Sequence, residues 1–266
     1  MSRIAATFQR LREARRKALI PYFTAGDPDR AATVPVMRAL AMAGADIIEL
    51  GVPFSDPMAD GPTIQRASER ALRRGTSLSS ILEDVRRFRE TDGATPIVLM
   101  GYANPIEAMG VEAFAERART SGVDGVLVVD YPPEESQELC QAMGSRGMDV
   151  IFLVAPTTTE TRMREIANAA RGYIYYVSLT GVTGARHIDL AAVEQKLARL
   201  RGMTTLPIGV GFGIRDGETA RAVASFADAV VIGSALVERM EAVGGSGAAQ
   251  CAADFVGAIR EAMDAR

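Results

Sequence analysis

A closed (β/α)8 barrel of the TIM type, with an extra N-terminal helix, is the fold class this 266-residue sequence predicts, and three observations carry it. First, one phrase recurs: a Gly or Phe, one small or apolar residue, an Asp, then a short apolar run. It reads Gly44-Ala45-Asp46 into 47–50, Gly122-Val123-Asp124 into 126–129, Gly147-Met148-Asp149 into 150–154 and Phe226-Ala227-Asp228 into 229–232. Second, these runs are apolar at successive positions instead of alternating, as in parallel strands covered on both faces. Third, four more such runs, 18–24, 96–102, 173–179 and 207–211, fit between them and bring the strands to eight. Eight strand–helix units in a chain of this length favour a closed barrel over an open doubly wound sheet.

Taken in order, the chain opens on a basic stretch with Arg3, Arg10, Arg12, Arg15, Arg16 and Lys17. It lacks the apolar central run of a secretory signal, and Ile4, Phe8 and Leu11 fall at helical spacing. Residues 1–17 therefore read as an amphipathic helix capping one end of the barrel, and the cytoplasm is the expected compartment. Helical patterns over 31–43, 78–90, 111–120, 133–145, 159–170, 190–200 and 216–224 separate the strands, often closed by Gly or opened by Asp, Ser or Thr. Gly244-Gly245-Ser246-Gly247 reads as a hinge before a last helix. With no linker and no Gly-rich dinucleotide turn, residues 1–266 are expected to form one domain.

Composition removes several kinds of chemistry. A net charge of −3, from 30 basic and 33 acidic residues, leaves no surplus to neutralise a nucleic-acid backbone. The longest apolar stretches fall far short of the ~18 residues a membrane-spanning helix needs. One histidine, His187, and two distant cysteines, Cys140 and Cys251, support neither a zinc site nor a disulfide scaffold, although carboxylate-only Mg²⁺ binding stays open. The only lysines, Lys17 and Lys196, lie in Arg-rich helical patterns, which disfavours Schiff-base aldolase chemistry.

A barrel of this kind builds its site at the C-terminal ends of the strands. Glu49 breaks the apolar run of the second strand, placing an ionisable group inside or at the rim of the barrel, where desolvation raises a carboxyl pKa. Asp60 lies in the long following loop, which three prolines stiffen. The pair reads as catalytic acids, or alternatively as a structural acid satisfied by arginine or backbone amides (Glu49) and a cap of the helix starting near Thr63 (Asp60). Asp56 is a weaker third candidate. Glycine-rich turns follow strands six, seven and eight, at Leu179 to Gly184, Gly211-Phe212-Gly213-Ile214 and Gly233-Ser234. Their backbone amides suit a phosphate, although such glycines also serve tight turns. Tyr22, Phe23, Tyr102, Tyr173, Tyr175, Tyr176 and Phe212 lie on or just after strands; several suit a flat pocket for a planar ring, while core filling serves equally for Phe23, Tyr173 and Tyr176. His187, after strand six, reads as solvent-facing or as part of a lid.

The run Ile48-Glu49-Leu50-Gly51-Val52-Pro53-Phe54-Ser55-Asp56-Pro57-Met58-Ala59-Asp60-Gly61-Pro62-Thr63-Ile64-Gln65 resembles the signature of the tryptophan synthase alpha chain family. Supporting matches are residues 21–28, 100–105, 129–135, 178–184 and 211–214, so the resemblance spans the chain. It implies a retro-aldol cleavage of indole-3-glycerol phosphate to indole and glyceraldehyde 3-phosphate, with no metal or cofactor in this chain. The same resemblance assigns acid and base work to Glu49 and stabilisation of charge on the indole NH to Asp60, which Thr183 helps to hold when a lid closes. It assigns phosphate to the amides around Gly184, Gly213, Gly233 and Ser234, and the indole wall to Tyr22, Met100, Tyr102, Tyr175 and Phe212. A pyridoxal-phosphate beta chain, in an alpha2beta2 heterotetramer, is the implied partner, facing Pro53, Asp56, Asn104 and the loop from Asp130 to Glu134. Leu179 departs from relatives that carry arginine there.

Overall fold

The computed structural model describes residues 1–177, 190–211 and 213–265. In chain order its elements are α1 (Arg3–Glu13), β1 (Ala18–Thr24), α2 (Thr33–Met42), β2 (Ile48–Gly51), α3 (Pro62–Arg73), α4 (Leu78–Arg89), β3 (Ile97–Gly101), α5 (Ala103–Met109), α6 (Val111–Ser121) and β4 (Gly125–Val128). They continue with α7 (Gln137–Gly144), β5 (Asp149–Val154), α8 (Glu160–Ala169), β6 (Ile174–Val177), α9 (Leu190–Arg201), β7 (Ile208–Gly211), α10 (Gly217–Ala224), β8 (Ala229–Ile232), α11 (Ser234–Val243) and α12 (Gly245–Asp264). The strands pair in parallel in sequence order and β8 returns to β1, closing the predicted barrel.

The recurring Asp has a mechanical role at the N-terminal end of the strands. Asp46, Asp124 and Asp228 each accept a hydrogen bond from a backbone N–H of the preceding strand, from Leu19 (2.9 Å), Ile97 (2.8 Å) and Ile208 (3.0 Å). Each carboxylate thus occupies a donor that the start of the ladder leaves free, and each also takes an arginine: Arg260, Arg89 and Arg201 respectively. Asp149 instead accepts from the Ser2 hydroxyl (2.6 Å), which also caps α1 through Ala5 N–H. Beneath this ring α1 plugs the barrel floor: Ile4, Phe8 and Leu11 are buried, and the Phe8 ring meets Tyr173 at 5.9 Å. A Cβ at Gly125 would lie 2.9 Å from Asp149 O and 3.2 Å from Ile4 Cδ1, so glycine there lets helix and strand close up.

Several boundaries differ from the sequence reading. The first helix stops at Glu13, and Arg15 turns the chain at φ 55°, so Lys17 lies outside the helical pattern and leads into β1. The strand read as 96–102 ends at Gly101, because Tyr102 becomes the N-cap of α5, a short helix that the periodicity did not reveal. The helix read as 133–145 starts at Gln137; Pro132 and Pro133 are held in a turn, where Ser136 N–H donates to Pro132 O (3.1 Å). The expected hinge at 244–247 is mostly helix: Gly244 alone turns the chain, at φ 75°, and α12 begins at Gly245. Among the described residues no helix is long and apolar enough to cross a membrane. Cys140 and Cys251 are free thiols.

Candidate active site

At the C-terminal ends of the strands a cavity of about 610 Å³ opens, lined among others by Tyr22, Asp60, Met100, Tyr175, Gly213, Gly233 and Ser234. Seven residues picked out in the sequence therefore meet around one space. Two of the tyrosines are seated on glycines. A Cβ at Gly51 would lie 2.3 Å from the Tyr22 hydroxyl and one at Gly211 would lie 2.0 Å from that of Tyr175, so only the bare backbone lets each ring lie flat at the strand ends.

Glu49 sits deeper. It is fully buried in β2, between its register partners Tyr22 on β1 and Val98 on β3, and it does not line the cavity. Its Oε1 accepts a 2.5 Å hydrogen bond from the Tyr173 hydroxyl across the barrel, and its Oε2 is buried without a partner among the described residues. Among the described residues neither an arginine nor a backbone amide meets it. Burial raises its pKa to about 8, and the Tyr173 hydrogen bond offsets only part of that rise. At neutral pH this carboxyl therefore keeps its proton.

Asp60 comes from the loop between β2 and α3. It does not cap the helix: Gly61 is the N-cap, without a side-chain hydrogen bond, and Pro62 fills the first turn. Asp60 Oδ2 instead accepts from the Tyr102 hydroxyl (2.9 Å), whose oxygen accepts in turn from Ala59 N–H (3.0 Å). Gln65 donates to the carbonyls of Asp60 (2.9 Å) and Pro57 (3.3 Å), and Phe54 stacks on Tyr102 at 5.0 Å. Partial burial raises the Asp60 pKa and the Tyr102 bond opposes that rise.

Not every expected residue reaches the cavity. Tyr102, expected in its wall, does not line it, because its ring and hydroxyl are committed to the loop. Pro53, expected to face a partner, is buried by the chain itself. Asp56 and Asn104 are exposed, and so is Asp130, although its Oδ1 accepts from Ala103 N–H (2.8 Å) and starts α5. Leu179, Thr183, Gly184, His187 and Phe212 lie outside the described residues.

The sequence reading missed Arg215, Glu238 and Arg239, which also line the cavity, and the role of Tyr173. Arg215 follows Gly213 by two residues, and Glu238 accepts from the Thr63 hydroxyl (2.8 Å), tying α11 to α3. The glycine turns pointed to this region, but nothing local marks those side chains as converging. Among the described residues, no group of three or more His, Cys, Asp or Glu side chains is placed to hold a metal ion.

The model of the family described as tryptophan synthase alpha chain matches residues 8–264. The chain belongs to the tryptophan synthase alpha chain family. It is 59% identical over 264 residues to the tryptophan synthase alpha chain of Burkholderia cenocepacia strain J2315, covering 99% of this chain and 97% of that one. The Paraburkholderia phytofirmans tryptophan synthase alpha chain is 58% identical, covering 99% and 98%. Among solved structures, tryptophan synthase subunit alpha from Legionella pneumophila strain Paris superimposes with a TM-score of 0.92 at 41% identity, covering 99% of both chains. A Mycobacterium tuberculosis tryptophan synthase structure gives 0.91 at 38% identity, covering 100% and 99%. Membership of the tryptophan synthase alpha chain family makes this a lyase subunit of tryptophan biosynthesis.

Proposed function

We propose that the chain, acting as one cytoplasmic domain, cleaves indole-3-glycerol phosphate to indole and glyceraldehyde 3-phosphate by a retro-aldol reaction, without a metal or cofactor of its own. The observation that carries the reading is a fully buried carboxyl, Glu49, whose protonated form burial favours, set beside Tyr22 of a cavity that Asp60, Gly213, Gly233 and Ser234 also line.

Three roles follow. Glu49 turns from Tyr173 towards the cavity, protonates C3 of the indole ring and takes the proton of the glycerol hydroxyl on the adjoining carbon. The carbon–carbon bond then breaks, its electron pair returning to the ring while the hydroxyl carbon becomes the aldehyde. Asp60, aimed by Tyr102, faces the indole NH and stabilises the positive charge that protonation at C3 creates. The amides around Gly213, Gly233 and Ser234, at the start of α11, hold the phosphate, joined by Gly184. Tyr22, Met100 and Tyr175 flank the ring, with Phe212, while Thr183 steadies Asp60 as the lid closes. Tyr102 acts through Asp60 instead of touching the indole.

By its family the chain works with a tryptophan synthase beta chain. We place that partner, carrying pyridoxal phosphate in an alpha2beta2 assembly, over the exposed Asp56, Asn104 and Asp130, with Pro53 shaping the loop from below. The test is indole formation from indole-3-glycerol phosphate by the purified chain, alone and titrated with a beta chain. Indole release that rises with the beta chain is the expected result. No indole in either case would make the barrel an idle partner or an enzyme for another phosphorylated sugar.

A further inference from the structure

At the opposite end of the barrel a second cavity, of about 520 Å³, lies between the end of α1, the segment leading into β7 and Asp228. Arg12, Arg15, Arg16, Lys17 and Arg201 line it, and among the described residues Asp228 is the one carboxylate that does. In a chain of net charge −3 this is a local inversion of sign.

Existing partners do not use up this charge. Arg16 forks onto Asp264 (3.2 and 2.7 Å), and Lys17 and Arg201 share Asp228 (3.8 and 3.2 Å), whose Oδ2 also receives Ile208 N–H. Among the described residues the guanidinium groups of Arg12 and Arg15 make no ion pair or hydrogen bond. The negative end of the α1 dipole favours cations in its last turn, which accounts for Arg12. It does not account for Lys17 and Arg201, which arrive from other elements at the same cleft. Beside the charges, Phe8, Leu11, Leu206 and Pro207 supply an apolar floor, and Thr204 and Thr205 supply hydroxyls.

We propose that this cleft is a binding site for a small phosphorylated molecule with an apolar body, distinct from the cavity at the strand C-termini. Planar guanidinium groups suit a phosphate dianion, and the floor suits the carbon skeleton attached to it. Phe8 in that floor packs on Tyr173, whose hydroxyl holds Glu49, so an occupant touches a continuous line of contacts to the candidate catalytic acid.

The test uses the full chain and phenyl phosphate, followed through backbone-amide NMR signals, which report the two ends of the barrel separately. Saturable shifts at residues 12–17 and 204–206 are expected. The double variant Arg12→Gln/Arg15→Asn, which breaks no ion pair and places a residue tolerant of positive φ at position 15, should weaken those shifts by about tenfold. The charge-matched Arg164→Gln/Arg221→Gln should leave them within about twofold. Shifts at Gly213, Gly233 and Ser234 belong to the other cavity and should be the same in both variants. No saturable response at residues 12–17 and 204–206, or equal weakening by both double variants, would overturn the proposal.

Discussion

Glu49 concentrates the chemistry of the chain because it is a fully buried carboxyl that, among the described residues, meets one hydrogen-bond donor and no cation. Its pKa is raised from the usual carboxylate range to about 8, so its neutral form favours folding and its ionisation opposes it. Stability from this group is complete below the unfolded pKa, near 4.5, and is lost as pH rises towards 8. Glu49→Gln, which cannot ionise, should therefore be more stable than the wild type at pH 8 to 9 by a few kcal/mol, order of magnitude. Thermal melts across pH should show the gap close near pH 5; a constant gap would contradict the burial argument. Tyr173→Phe removes the bond that favours the carboxylate, so it should move the alkaline limb of the cleavage rate to higher pH. A shift to lower pH would show that the hydroxyl acts in another way. Neither effect was legible in the sequence: Glu49 stood out as one acid in an apolar strand, but its partner lies 124 residues away and looked equally suited to core filling.

Elements were more readable than contacts. The apolar runs revealed all eight strands because a barrel strand is covered on both faces, leaving no polar alternation to confuse the pattern. Where they failed, the cause was local: α5 has only seven residues, and Pro132 and Pro133 delay α7. The recurring Asp was visible as punctuation, but its hydrogen bond to the neighbouring strand was not. Asp124 accepts from Ile97 N–H, Arg89 and Arg3, and its loss would leave the largely buried Arg89 uncompensated. Asp124→Ala should cost about 3 kcal/mol, read from denaturant unfolding, with little change in the KM of cleavage. At the other end, Gly211→Ala places a Cβ 2.0 Å from the Tyr175 hydroxyl. It should raise KM and cost about 1–3 kcal/mol through overpacking. An unchanged KM would mean that the position of Tyr175 does not matter to the substrate.

The whole molecule divides its labour between two ends. Carboxylate–arginine clamps and the α1 plug hold the N-terminal face, while the turns after the strands, freed from that task, carry Asp60 and the glycine amides. The central claim is that Glu49 moves protons while the turns grip the phosphate, so binding and cleavage are separable. Measuring both in Glu49→Gln tests this most directly, with affinity for glycerol 3-phosphate read by calorimetry and indole release read by product formation. Affinity within about twofold of the wild type, with indole release lowered by at least about a thousandfold, is the predicted result. Sustained indole release by the glutamine variant would contradict it.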